Sequence, residues 1–137
     1  MPIVIDTNLF FVLLRAKNDR LREVYFDSRY QFYAPNFLIA EIFNHAERVL
    51  KSSKSDTSKT YEVLSKMLEY IVFVNENFIS TENYIAAYRF CKTVDENDAP
   101  FVALSLELDA PFWTKDEKLK VGLQKKGFYN FFNPFDQ

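Results

Sequence analysis

Five acids stand out by position: Asp6, Glu41, Asp95, Asp98 and Asp116. Asp6 directly follows the apolar run Ile3, Val4 and Ile5 in "PIVIDTNLFF". Asp116 lies just past "PFWT", and Asp98 opens the apolar stretch "DAPFVALSLEL", three residues after Asp95. Glu41 falls early in "FLIAEIFNHAERVLK". Gathered carboxylates need compensation: a pair ~5 Å apart repels by roughly 3 kcal/mol at an effective dielectric of about 20, against a domain stability of about 5–15 kcal/mol. Protons or hard divalent cations supply it, and a cation held by oxygen ligands acidifies a water and neutralises phosphoryl charge. No Cys–His pair suits a protein nucleophile. His45, the only histidine, reads as a surface or supporting residue, and the lone Cys91 as a small buried hydrophobe.

Each acid also has an ordinary structural reading. Asp6, Asp98 and Asp116 can each cap a following helix, and Pro100 is tolerated in a first turn. Asp95 alone is a solvated loop acid. Glu41 lies off the apolar stripe Ile39, Ile42, Phe43, Ala46, Val49 and Leu50, as a solvated helix residue does. A functional reading therefore rests on convergence, not on any single acid.

Convergence requires elements that deliver these residues to one place. Residues 3–5, 31–35, 71–74, 111–114 and 128–132 read as short strands. Helices are expected at 8–16 with Thr7 or Asn8 as cap, at about 19–27, after Asn36, and from the polar loop 52–59 to about Tyr70. Further helices are expected from Thr81 as cap, over the nearly all-apolar "DAPFVALSLEL", and over "DEKLKVGLQKK", which stops at Gly127. This alternation predicts an α/β fold. It consists of a central parallel sheet of about four to five short strands, with helices on both faces. Ligands of such folds sit beyond the carboxyl ends of the strands, the edge to which Asp6 and Asp116 belong.

The bulk numbers limit the alternatives. The 137 residues fit one domain spanning 1–137. With 48% hydrophobic residues and 26% charged, the composition is that of a globular domain. A net charge of −2 argues against a broadly basic nucleic-acid surface, although bound cations would reverse the local sign. Only two glycines, Gly122 and Gly127, are present, so a Gly-rich phosphate cradle or dinucleotide fingerprint is excluded. No leader is expected, because Asp6 interrupts the apolar start; no apolar run reaches the ~20 residues of a membrane span, and one cysteine suits a reducing cytoplasm.

"VIDTN", the acid in "IAE", "DENDAPFVALSLEL" and "FWTKD" together resemble the PIN-domain ribonucleases in order and spacing over essentially the whole chain. "VIDTN" alone is weak; D-x-x-D-A-P-F-V-A-L followed by W-T-K-D is far more specific. The resemblance implies a PIN-like fold whose carboxylates hold Mg²⁺ or Mn²⁺ and hydrolyse RNA phosphodiesters, leaving a 5′-phosphate. By matching position, the catalytic and metal set is Asp6, Glu41, Asp98 and Asp116, with Asp95 an accessory acid. Thr7, Asn8 and Thr114 would position carboxylates or water. Many members carry a polar or acidic residue two positions past the last Asp, where this chain has Lys118, which puts a full second metal site in doubt. The chain is similar to the VapC-type toxins of toxin–antitoxin pairs, which implies an antitoxin partner and a homodimer.

Substrate contacts are less legible. Arg15, Lys17, Arg20 and Arg22 cluster after the first helix, Lys51, Lys54 and Lys59 flank the polar loop, and Lys120 lies near Asp116. Most read as a solvated charged face; Lys115 and Lys118, beside Asp116, are the best candidates for RNA phosphate contacts. The aromatic tail "FYNFFNPF" fits a last strand with a packing or dimer contact better than base stacking. The competing functions are a free-standing RNA-processing nuclease of the same family and a non-catalytic PIN-like module that binds RNA or protein. A phosphoacceptor receiver domain fits poorly, because Asp6 has no acidic neighbour and "IVFV" is followed by Asn75.

Overall fold

The structure is a computed structural model that describes residues 1–15, 19–52 and 57–135. The apolar run at the start forms β1 (Pro2–Ile5). Its successive residues Ile3, Val4 and Ile5 are all fully buried. Neighbouring strand side chains point to opposite faces, so burial of all three means that both faces of the sheet are covered. β1 pairs in parallel with β2 (Gln31–Pro35) on one side and β4 (Phe112–Trp113) on the other. β3 (Val72–Val74) pairs in parallel with β2, giving the order β3-β2-β1-β4. The register sets Val4 between Tyr33 and Phe112, and Ile5 beside Trp113. Asp6 is therefore the first residue past the carboxyl end of the strand at the middle of the sheet.

The described helices are α1 (Thr7–Arg15), α2 (Asp19–Tyr25), α3 (Phe37–Ser52), α4 (Thr57–Tyr70), α5 (Thr81–Cys91), α6 (Ala99–Leu108) and α7 (Glu117–Lys125). α6 is apolar nearly all round, and Phe101, Val102, Ala103 and Leu104 are each at most 1% exposed. It packs against α5, β1 and β2. At about 1.5–3 kcal/mol for each large apolar side chain buried, α6 is a principal anchor of the fold. The Tyr25 hydroxyl, deep in the core, donates to the Met67 carbonyl oxygen at 2.7 Å and ties α2 to α4. Gly127, at φ 103°, ends α7: its amide and that of Phe128 bond back to the carbonyls of Gln124 and Leu123, a left-handed stop that suits glycine.

Several local expectations are revised. The stretch 128–132 is not a strand but a single parallel bridge between Phe131 and Phe112. The Phe112 amide donates to the Asn130 carbonyl, and the Phe132 amide to the Phe112 carbonyl. Phe128 and Phe132 turn into the core instead, and Pro134 follows closely. The cap of α1 is Asp6, not Thr7 or Asn8, and that of α5 is Ser80, not Thr81. On α3, Ile42 is buried but Phe43 is 74% exposed, so the inward stripe is narrower than its spacing predicts. No described helix is long and apolar enough to cross a membrane.

Candidate active site

Asp6 is held from two directions. Its Oδ1 accepts from the Leu9 amide at 2.8 Å, which caps α1, and its Oδ2 accepts from the Thr114 hydroxyl at 2.5 Å. Thr114 also accepts from the Asp116 amide at 3.1 Å. Asp116 caps α7 by accepting from Leu119 at 3.1 Å. The two strand ends are thus stitched together through one threonine hydroxyl. Asp6 and Thr114 are buried, while Asp116 stays exposed at the rim.

Asp98 occupies the N-cap position of α6, yet its side chain makes no capping hydrogen bond. Pro100 in the first turn removes one amide that a cap would serve. Asp95 instead accepts from the Asn97 amide at 3.0 Å, closing the single 3₁₀ turn Glu96–Asp98 that leads into α6. Glu41, in the second turn of α3, is positioned by side chains: Thr7 donates to its Oε1 at 2.9 Å, and His45 Nε2 stands 3.9 Å from its Oε2. Arg48 Nη2 lies 2.7 Å from His45 Nδ1. An arginine can only donate, so Nδ1 accepts and the ring carries its proton on Nε2, towards Glu41.

These side chains line one cleft of about 570 Å³, shared by Asp6, Thr7, Asn8, Glu41, Asp95, Asp98 and Asp116. The crowding shows in the acids' proton affinity. Burial pushes Asp98 up to about 7, reinforced in turn by the charges of Asp6, Asp95, Asp116 and Glu41. Burial likewise raises Asp6 to about 6, against the opposing hydrogen bonds from Thr114 and Leu9. A nearby cation would favour the ionised forms. The donor set is all carboxylate oxygen, the chemistry preferred by Mg²⁺ and Mn²⁺. Among the described residues, no three His, Cys, Asp or Glu side chains stand close enough to hold one ion as a ready-made cage.

The basic residues fall differently from expectation. Lys115 lines a separate shallow cleft with Trp113, Lys120 and Phe135, and Lys118 lines neither cleft. Trp113, Thr114 and Lys115 border that second cleft together, although the Thr114 hydroxyl reaches Asp6. Lys17 and Lys54 lie outside the described residues, as do the side chains of Val49, Leu50 and Lys51. Phe11, Arg15, His45, Arg48 and Asn97 complete the acid-lined cleft. Arg48 escapes a reading by proximity in sequence. Its signal is helical spacing, since Glu41, His45 and Arg48 stand at i, i+4 and i+7 on one face of α3. Cys91 is buried and its thiol is pushed up to about 12 by burial and then by Asp98 and Asp95, which leaves it inert.

No curated protein matches the sequence. A solved structure, VapBC2 from Rickettsia felis bound to a DNA fragment from their promoter, contains a similar chain at 14% identity and a TM-score of 0.66. The match covers 88% of this chain and 92% of that one. At that identity the likeness concerns the fold. The PIN-domain family model matches residues 4–130, nearly the whole chain and a span that contains all five acids, so the protein belongs to the PIN-domain family.

Proposed function

We propose that this protein is a divalent-metal-dependent endoribonuclease of the VapC toxin type. The observation that carries the reading is the convergence of Asp6, Glu41, Asp95, Asp98 and Asp116 on one cleft at the carboxyl edge of the sheet. Family membership supports a nuclease, and the likeness to a VapBC2 chain supports a toxin paired with an antitoxin. RNA as substrate, a homodimer and a cytoplasmic setting belong to the same reading.

Asp6, Glu41, Asp98 and Asp116 would hold Mg²⁺ or Mn²⁺, which supplies Lewis-acid polarisation of the phosphate and a water acidic enough to attack it. The chain's own residues do the positioning. Leu9 and Thr114 fix both oxygens of Asp6, so its carboxylate plane is set before substrate arrives. Thr7 orients Glu41, and the unbonded carboxylate of Asp98 remains available to ligate or to take a proton. Asp95 braces the turn before α6 as an accessory acid, and Asn8 adds an amide at the cleft wall.

The test is cleavage of single-stranded RNA by the purified chain with Mg²⁺ or Mn²⁺, with chelator, and with Asp98→Asn. Chelator and substitution should each abolish cleavage, by about 10³-fold or more, equivalent to ~4 kcal/mol of transition-state stabilisation. Cleavage that survives both would remove the metal-carboxylate mechanism. The second reading, a binding module without turnover, is favoured by the lack of any three ready-clustered ligand side chains among the described residues; binding of RNA without cleavage under every metal condition would select it.

A further inference from the structure

α1 and α3 lie side by side, and each presents one stripe to the cleft. On α1 the stripe is Asn8, Phe11 and Arg15; on α3 it is Glu41, His45 and Arg48. Both begin at the acids and end on an arginine. Seven residues separate Asn8 from Arg15 and Glu41 from Arg48, about 10 Å along each helix at ~1.5 Å per residue. The cleft therefore carries carboxylates at the start of both stripes and two guanidinium groups further along them, where Arg15 Nε reaches back to Phe11 and Arg48 Nη2 to His45. No described carboxylate forms an ion pair with either arginine. Arg15 spends only its Nε on the Phe11 carbonyl, at 3.3 Å, and Arg48 one nitrogen on His45. Both side chains are exposed.

We infer that Arg15 and Arg48 form a clamp for a backbone phosphate displaced from the one being cut, so that the α1–α3 groove is the track along which an unpaired RNA strand enters. This rests on the nuclease reading and deepens it. A polyanion approaching a group of acids needs attraction to offset the repulsion, and the two arginines provide it without being paired to any described acid. A guanidinium also pairs with phosphate through two parallel hydrogen bonds, which fixes the strand's direction as well as its position. An unpaired strand suits the site because Asp6 lies at the floor, only 2% exposed, so the reacting phosphate must enter the cleft. The contacts are to phosphate, so the clamp reads length and polarity, not sequence.

The experiment compares the full chain with Arg15→Gln/Arg48→Gln and with Arg15→Lys/Arg48→Lys, both checked by thermal melting. Binding of a labelled long oligouridylate is measured against salt in the Asp98→Asn background, and cleavage of that strand and of a uridine dinucleotide is measured in the active chain. Loss of two phosphate contacts should reduce the slope of log K against log salt by about 1.4. KM for the long strand should rise about tenfold, and the preference for the long strand over the dinucleotide should shrink. The lysine pair should recover most of the slope. An unchanged slope and an unchanged length preference in the glutamine pair would overturn the clamp. If the unsubstituted chain binds but cleaves nothing, the nuclease reading falls, while the salt slope still decides the track.

Discussion

α6 and α3 each deliver a carboxylate to the same cleft, and they hold it by opposite means. α6 is sunk in apolar surroundings, with Phe101, Val102 and Leu104 essentially without solvent contact. Asp98 sits at its N-cap position, where its side chain makes no capping hydrogen bond, and is placed by the backbone that carries it. α3 lies half in solvent, with Phe43 exposed, and Glu41 is steadied by the side chains of Thr7 and His45. Precision at Asp98 is thus a property of core packing, whereas at Glu41 it is a property of two local contacts. The two acids should respond differently to perturbation.

The largest effect belongs to the platform of α6. Phe101→Ala removes a buried ring and should cost about 3–5 kcal/mol, measurable by urea unfolding, with activity lost only in step with folded fraction. A cost under ~1 kcal/mol would mean that α6 is not the rigid member of the pair. Next comes Asp98 itself. The folded chain holds the protons of Asp98 (about 7) and Asp6 (about 6) far above the ordinary carboxylate value of 3.8. Folded protein therefore binds more protons than unfolded protein between about pH 4 and 7, so stability without divalent metal should rise as pH falls through that window and be lowest above pH 7. Asp98→Asn should stabilise the chelator-treated chain at pH 8 by on the order of 2 kcal/mol and flatten this dependence. A variant that melts below the parent at pH 8 would contradict the strain assigned to this acid. The smallest effect belongs to α3. Thr7→Val deletes the hydroxyl that orients Glu41 and should lower kcat/KM about fivefold, equivalent to ~1 kcal/mol, with no change in melting temperature. A loss as large as that of Asp98→Asn would erase the distinction between the two helices.

What the sequence reveals follows the same division. β1, α6 and the acids at their ends are legible because continuous apolar runs and a following Asp leave few alternatives, and backbone geometry does the rest. α3 is less so. A stripe of helical spacing predicts burial of Phe43, but coverage depends on a neighbour that the spacing does not describe. Lys115 illustrates the same limit: adjacency to Asp116 suggests a shared site, yet Lys115 borders a different cleft, with Trp113 and Thr114. Arg48, distant in sequence from every acid of the cleft but Glu41, is reached only by following the face of the helix two turns further. The aromatic tail reads as a strand because its composition favours one. In the fold only Phe128 and Phe132 of this tail enter the core, and one bridge to the sheet remains.

The bonding of Asp6 has a consequence for how such proteins can change over generations. An asparagine there would still accept from the Leu9 amide, and its NH₂ group would donate to a Thr114 hydroxyl that can turn to receive it. Asparagine is also as good a helix cap as aspartate. A single-base codon change therefore leads from a charged site to a neutral one with the architecture intact, so descendants of an enzyme built this way have a short mutational route to a silent scaffold that keeps its shape and its partners.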